Sequence, residues 1–423
     1  VLSSVVRALE ELGPNGGGAV DALGRRRAFA AYRRGNDARE TLPRHWRHDY
    51  AALPFADLVW STGRLRVPAR DATVAGLVHS GSTYLEATAP FVDRRVALSS
   101  LADATGEHLE RVVPVHGRIV TFDSDRFTAL SAAFQNCGAF VDVPADVAVE
   151  SPIQLVWTSR PGEASAVFPH TVVRVGANAS ATIVERHLGD SESFVAGIVE
   201  VELEAGARLD YVVMQEADPG ARLFFRRAAR CADGATITWH VVELGAALSR
   251  TYVNLELSGD GATGDVNALF FANGFSNVDM AVDVAHLGSD TRSNTIVRSA
   301  AGDRASGRFV GDIRIDQKAH AARAAMRDDA LVLSRDAYLE SVPALEIGTN
   351  DVSVSHAATV GSLDEEQLFY LQTRGIARGA AERMVALAFF EPAIARFPGD
   401  VFREEVRTAL DVRLDEVPDT FAS

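Results

Sequence analysis

One histidine stands where it could do chemistry. His356 lies in Ser355-His356-Ala357-Ala358-Thr359, where a long run of short apolar segments gives way to helical spacing. An imidazole can serve as a metal ligand, but on the residues alone a hydrogen-bonded structural histidine is the favoured reading. His240 and His286 lie within or beside strand-like segments and carry the same two readings. Four acids, Asp210, Glu216, Asp279 and Asp283, could flank a glycosidic bond as general acid and base. In a chain this acidic, solvated surface carboxylates are the competing reading. The two cysteines, Cys137 and Cys231, are far apart and form no CxxC pattern. They read as small buried apolar residues and cannot supply the four thiolates of an iron–sulfur cluster.

Several familiar machineries are missing. Lys318 is the only lysine and sits between Gln317 and Ala319, so no Gly-Lys-Ser/Thr end exists and the chain is not itself a P-loop ATPase. No GxSxG elbow or HExxH pair occurs, and the eleven histidines form no helical i, i+4 pair. Gly259-Asp260-Gly261-Ala262-Thr263-Gly264 matches GxGxxG, but Asp265–Phe271 alternates like a strand instead of opening a helix. No helix N-terminus would then meet a pyrophosphate, and the segment reads as a turn between strands.

Composition sets the outer bounds. Hydrophobic residues make up 47% and charged residues 23% of 423, a globular balance long enough for two or three domains. The net charge of −15 and pI near 5.2 disfavour phosphate-backbone recognition and anionic membrane surfaces. No apolar run approaches the roughly 20 residues of a spanning helix. Val1–Glu10 shows no secretory pattern, and the sparse cysteines fit a reducing compartment, so a cytoplasmic location is expected.

The elements that must position these residues fall into three stretches. Residues 1–70 are expected to form an N-terminal helical domain. Leu2, Val5, Val6, Leu9 and Leu12 recur at helical spacing, and an arginine-rich helix follows over Val20–Arg34, interrupted by Gly24. Its Arg25, Arg26, Arg27, Arg33 and Arg34 read as a solvated face. Residues 71–362 are expected to form a strand-built core. Short runs such as Val147–Trp157, Phe194–Leu203, Leu209–Met214, Ala235–Val242 and Phe309–Ile315 are punctuated by Gly, Asp, Asn or Ser. Sandwich, barrel and stacked solenoid all remain open, with length favouring the solenoid. Residues 363–423 are helical again. Leu363-Asp364-Glu365-Glu366 starts one helix, Gly375 stops it, a second runs from Gly379 to Phe390 before Pro392, and a third follows over Asp400–Val412. This bundle carries more apolar surface than three short helices need, which points to docking on another chain.

The motifs then add up to a resemblance. Phe309-Val310-Gly311-Asp312-Ile313-Arg314-Ile315, Leu331–Ser334, Pro343–Ile347, Asp351-Val352, Ser355-His356, Ala358–Gly361 and Gln367–Leu371 running into Arg374-Gly375-Ile376 are similar to the SufB/SufD family of iron–sulfur cluster assembly proteins. Weaker matches lie upstream at Gly138–Pro144, Glu150–Ile153, Asp279 with His286, and Leu42-Pro43 with Trp46-Arg47. The chain resembles the SufD branch. SufB-type members carry a cysteine where Leu371 stands, and SufD-type members keep the histidine found here as His356. Two departures are Val354 in place of that segment's cysteine and Ala357 in place of its glycine.

The resemblance implies a mainly β fold, a right-handed parallel β-helix core flanked by N-terminal and C-terminal helical domains. It implies a non-ATPase scaffold that pairs with a SufB-like subunit through the last β-strands and docks a SufC-like ABC ATPase on its C-terminal helices. His356 would be a candidate ligand of a transient iron–sulfur cluster shared with SufB, with no stably bound cofactor of the chain's own. The alternative, drawn from the strand series alone, is a solenoid carbohydrate-active enzyme.

Overall fold

The computed structural model describes residues 22–37, 59–60, 67–68, 76–80, 83–87, 95–101, 107–158, 165–189 and 193–416. The helix expected over Leu2–Leu12 and the Leu42–Arg47 element lie outside them. From Pro169 onward, consecutive strands alternate between two sheets, and each strand pairs with the one two places on. One sheet runs through Cys137–Val143, Pro169–Val175, Phe194–Leu203, Arg222–Cys231, Leu248–Leu257, Asn277–His286, Ser306–Ile315 and Tyr338–Ile347. The other runs through Ile153–Thr158, Ser180–Leu188, Arg208–Gln215, Thr236–Glu243, Thr263–Ala272, Arg292–Ala301, Ala322–Val332 and Val352–Ser362. Pairing along both series is parallel, as between Arg222–Cys231 and Leu248–Leu257 or Ala322–Val332 and Val352–Ser362. The fold is a parallel β-solenoid flanked by helical regions.

The inward faces explain why these segments stack. Alternate side chains point into the lumen, so Ile183, Tyr211, Trp239 and Val266 lie one above another in register and are all buried. The coil length drifts: 27 residues separate Thr236 from its partner Thr263, and 31 separate Arg292 from Arg323. That drift hides the repeat in the sequence.

The corner between the sheets is a ladder of left-handed residues. Asp146, Asn178, Gly206, Gly234, Gly261, Asp290 and Ala321 all have φ between 55° and 70°. Each donates its N–H to a carbonyl of the following coil, as Gly234 does to Asp260 and Gly261 to Ser289. The GxGxxG segment is one rung of this corner. At Gly261 (φ +70°) an L side chain is strained. Gly261→Ala should therefore lower stability by about 1–2 kcal/mol, read as a lower urea midpoint with an unchanged m-value.

Some local expectations are corrected. Val147–Trp157 is not one strand: Ala148 makes only an isolated bridge to Ser180, and the strand begins at Ile153, after Pro152. The Gly24 interruption does not occur, because the helix runs unbroken over Ala22–Asp37. Its Ala28 and Tyr32 are buried in a cluster with Phe127, Leu130 and Phe134 of the helix Arg126–Phe134. That cluster also takes in Phe168, Phe194, Ile198 and Phe224, so both helices cover the outer face of the first sheet. The second C-terminal helix does not stop before Pro392 but spans Arg378–Ile394. Burial of Phe390, Ala393 and Ile394 offsets the one backbone hydrogen bond that proline cannot donate.

The C-terminal helices spend their surplus apolar surface first on this chain. Leu368, Phe390, Ile394, Val406 and Leu410 share a buried cluster with Val184, Val212, Val242, Leu269 and Leu331 on the outer face of the second sheet. Asp364 caps the helix Glu365–Thr373 by accepting from Glu366 N at 2.9 Å, and Gly375 (φ +84°) closes it. Among the described residues no helix is long and apolar enough to cross a membrane.

One buried carboxylate clamps the N-terminal region onto the solenoid. Glu200 accepts from the backbone N–H groups of Gly117, Arg118, Ile119 and Val120 at 2.6, 3.0, 2.9 and 2.8 Å, and pairs with His170 Nε2 at 2.8 Å. Burial alone would raise its pKa, but His170 and the donated N–H groups outweigh that and hold it below the usual carboxylate range. Because the folded value is lowered, the stabilisation is complete above the unfolded pKa of 4.5 and is lost as pH falls through the folded value. Glu200→Gln should flatten the acid limb below about pH 4.5 and cost about 2–3 kcal/mol near neutrality. Thermal melts across that range, compared with wild type, check both.

Candidate functional site

The solenoid has an open end. Strands Tyr338–Ile347 and Val352–Ser362 are the last in their sheets, and each pairs on one side only. Leu345 and Ile347 stand in register with the core residues Ile313 and Ile315, yet they are 47% and 46% exposed because no further coil among the described residues covers them. Val360, in register with core Ala330, is 51% exposed. An unpaired edge normally carries charges, kinks or a cover that discourage further pairing. Val352–Ser362 is eleven residues long and holds no charged side chain.

His356 sits on this edge facing the lumen. Its register partner is Met326, a core residue, and the same inward row continues down the solenoid. Among the described residues neither ring nitrogen has a hydrogen-bond partner, and both are shielded from solvent. Burial lowers its pKa, which keeps the imidazole neutral and its lone pair available. The structure thus leaves His356 without the hydrogen bond that a purely structural histidine would hold.

The sequence missed a second polar group at the mouth. Asp328 lies on Ala322–Val332, one rung below the edge, in register with Ala358 and with core Val297. It is 1% exposed, and neither carboxylate oxygen has a hydrogen-bond partner of ordinary geometry. Burial pushes its pKa up to about 7, and Ser341 from the facing sheet pulls partly the other way. No sequence signal marked it, because Asp328 and Asp329 look alike until the register assigns one to the lumen. Asp329 faces outward and pairs with Arg298 at 3.0 Å and Arg327 at 2.7 Å.

The other sequence candidates do not converge. His286 is fully buried with both nitrogens bonded, Nδ1 to Thr291 Oγ1 at 2.8 Å and Nε2 to Ser293 Oγ at 2.9 Å. His240 lies beneath Phe397, with Asp210 at 3.4 Å. Asp210 and Glu216 belong to the second sheet's side, whereas Asp279 and Asp283 are on the first. Asp279 faces Arg250 at 3.3 Å and Asp283 faces Arg314 at 2.9 Å, an ion-paired role in place of an acid–base dyad across a cleft. Cys137 and Cys231 are buried free thiols, and burial pushes Cys231 up to about 12. Leu371 packs against the apolar cluster between helices and sheet, away from the edge strand. Val354 shares the inward face with His356, two residues away, and packs on the core. Deeper in the lumen, Glu185 pairs with His187 at 2.5 Å and with Tyr211, and Arg227 lies 3.6 Å away. These charges are matched internally. Among the described residues no group of three or more His, Cys, Asp or Glu is placed to hold a metal ion.

Comparison with known proteins places this architecture. Residues 157–389 match the family described as SUF system FeS cluster assembly, SufBD core domain, which is more than half of the chain. Residues 66–155 match the SufBD protein N-terminal region. The chain belongs to the SufB/SufD family. It is 27% identical to the iron–sulfur cluster assembly protein SufB of Bacillus subtilis over 311 residues, 73% of this chain and 65% of that protein, just under two thirds of its length. It is 29% identical to SufD of the same organism over 336 residues, 78% of this chain and 76% of that one. A SufBD family protein of Mycobacterium leprae is 29% identical over 268 residues, 62% of this chain and 30% of that protein.

Proposed function

We propose that this chain is the SufD-like scaffold subunit of an iron–sulfur cluster assembly complex. It pairs through its last coil with a SufB-like subunit and presents His356 to the nascent cluster, which is cargo and not a resident cofactor. ATP hydrolysis belongs to a SufC-like ABC ATPase docked on the C-terminal helices. The observation that carries this reading is the open solenoid end with a neutral, unbonded His356 in its mouth.

Three further features support it. The uncharged edge strand offers a row of backbone groups to a matching edge. The resemblance keeps the SufD-type histidine and replaces the SufB-type cysteine by Leu371. Beyond their own sheet, the C-terminal helices still expose Phe369 and Val401, at 68% and 70%, and Met384 and Val412 at about half. A groove of about 810 Å³ runs between the helix Asp400–Asp415 and the sheet, lined by Arg186, Met214, Leu244, Glu405 and Val412. A cytoplasmic location fits this role.

The test is co-purification. Expressed with a SufB-like subunit and a SufC-like ATPase, the tagged chain should bring both down in a stable complex. A chain that stays alone and instead cleaves polysaccharide would replace this reading with that of a solenoid carbohydrate-active enzyme.

A further inference from the structure

Two polar side chains at the solenoid mouth, the half-buried His356 and the buried Asp328, lack a hydrogen-bond partner of ordinary geometry among the described residues, and they stand on neighbouring rungs of one sheet. His356 is in register with Met326, and Asp328 lies two residues beyond Met326 on that same strand, so both point into the lumen. Adjacent strands are about 4.8 Å apart and alternate residues about 6.7 Å, which puts the two β-carbons roughly 8 Å from each other. An imidazole nitrogen and a carboxylate oxygen on such a diagonal can both reach one metal ion at about 2.0–2.2 Å. Among the described residues neither ring nitrogen of His356 has a hydrogen-bond partner, and the carboxylate of Asp328 meets only the Ser341 hydroxyl of the facing sheet, outside ordinary hydrogen-bond geometry. A carboxylate held in an apolar lumen without partners is costly unless something compensates it.

We propose that Asp328 and His356 form a two-donor half-site for a divalent transition-metal ion, iron(II) in the assembly context. Imidazole and carboxylate together suit a borderline ion. The site is incomplete in this chain and leaves its remaining positions facing the open end, where a partner's ligands would arrive. Ser341, on the facing sheet, borders it. The inference rests on the reading of His356 given above and adds a ligand that the sequence motif does not contain.

Cobalt(II) is the probe, titrated into the full chain and followed by calorimetry and visible absorption. Wild type should bind one ion that His356→Ala and Asp328→Asn each weaken at least tenfold. Asparagine keeps the shape and can still accept a hydrogen bond from the imidazole but is a poor ligand, so its loss of binding separates a ligand from a residue that merely orients His356. Asp328→Asn should melt no lower than wild type, since it removes an uncompensated buried acid. Binding unchanged in Asp328→Asn, or equal in wild type and both variants because the ion sits on the acidic surface, overturns the half-site. Either failure leaves the scaffold reading standing, because that reading is judged separately by co-purification with a SufB-like subunit and a SufC-like ATPase.

Discussion

Leu345→Asp should abolish pairing with a SufB-like subunit while leaving the isolated chain folded. In the free chain Leu345 is 47% exposed, so a carboxylate there keeps its water and costs the fold little. Its side chain points along the inward row above Ile313, into whatever continues the solenoid. Once a partner's edge covers that row, the new charge is buried without a counter-ion. An uncompensated buried charge costs about 3–5 kcal/mol, which corresponds to a loss of roughly two to four orders of magnitude in affinity. Size-exclusion chromatography with light scattering should show separate subunits, with circular dichroism unchanged. An intact heterodimer at micromolar concentration would mean that the partner docks elsewhere.

His356→Ala should remove the cluster and spare everything else. Because neither ring nitrogen bonds to the protein, deleting the imidazole strands no buried donor or acceptor. The side chain is part-exposed at an edge, so the fold should lose no more than about 1 kcal/mol. Subunit contacts made by backbone groups of Val352–Ser362 persist, and the C-terminal helices lie on the outer face of the sheet, out of reach of the change. Cluster yield on the complex should fall at least tenfold. His356→Cys should restore part of it, since a thiolate is the ordinary ligand of such clusters. Rescue by cysteine but not by alanine or glutamine separates ligation from packing.

Much of the architecture was legible in the sequence because its strands are apolar and regularly punctuated. Phe194–Leu203 and Phe309–Ile315 stand out by composition alone. Other strands did not. Arg222–Cys231 carries four arginines, and their chemistry conceals the alternation: Arg226 lies 3.9 Å over the Tyr252 ring outside, and Arg227 is buried inside facing Glu185. Ala322–Val332 is similarly disguised by Arg323, Arg327, Asp328 and Asp329. Strand type there is decided by register with neighbours some 30 residues away, which no local window contains. That the helical bundle's apolar face first covers the chain's own second sheet was hidden for the same reason. Its complement, the row Val184, Val212, Val242 and Leu269, is spread over four coils.

The candidate site shows the same division. His356 could be singled out because a short motif surrounds it. That it faces a lumen, stands at an open end and lacks a hydrogen bond follows only from the stacking. Asp328 was invisible until the sheets were assembled.

The most direct measurement is iron and acid-labile sulfide content after anaerobic cluster assembly on the co-purified complex. Wild type and His356→Ala should be compared at matched subunit stoichiometry. The account predicts that wild type holds iron and sulfide in equal amounts and that the variant, with its subunits still associated, holds almost none. Equal iron and sulfide in the two complexes would contradict it and reduce this chain to a clamp whose partner supplies every ligand.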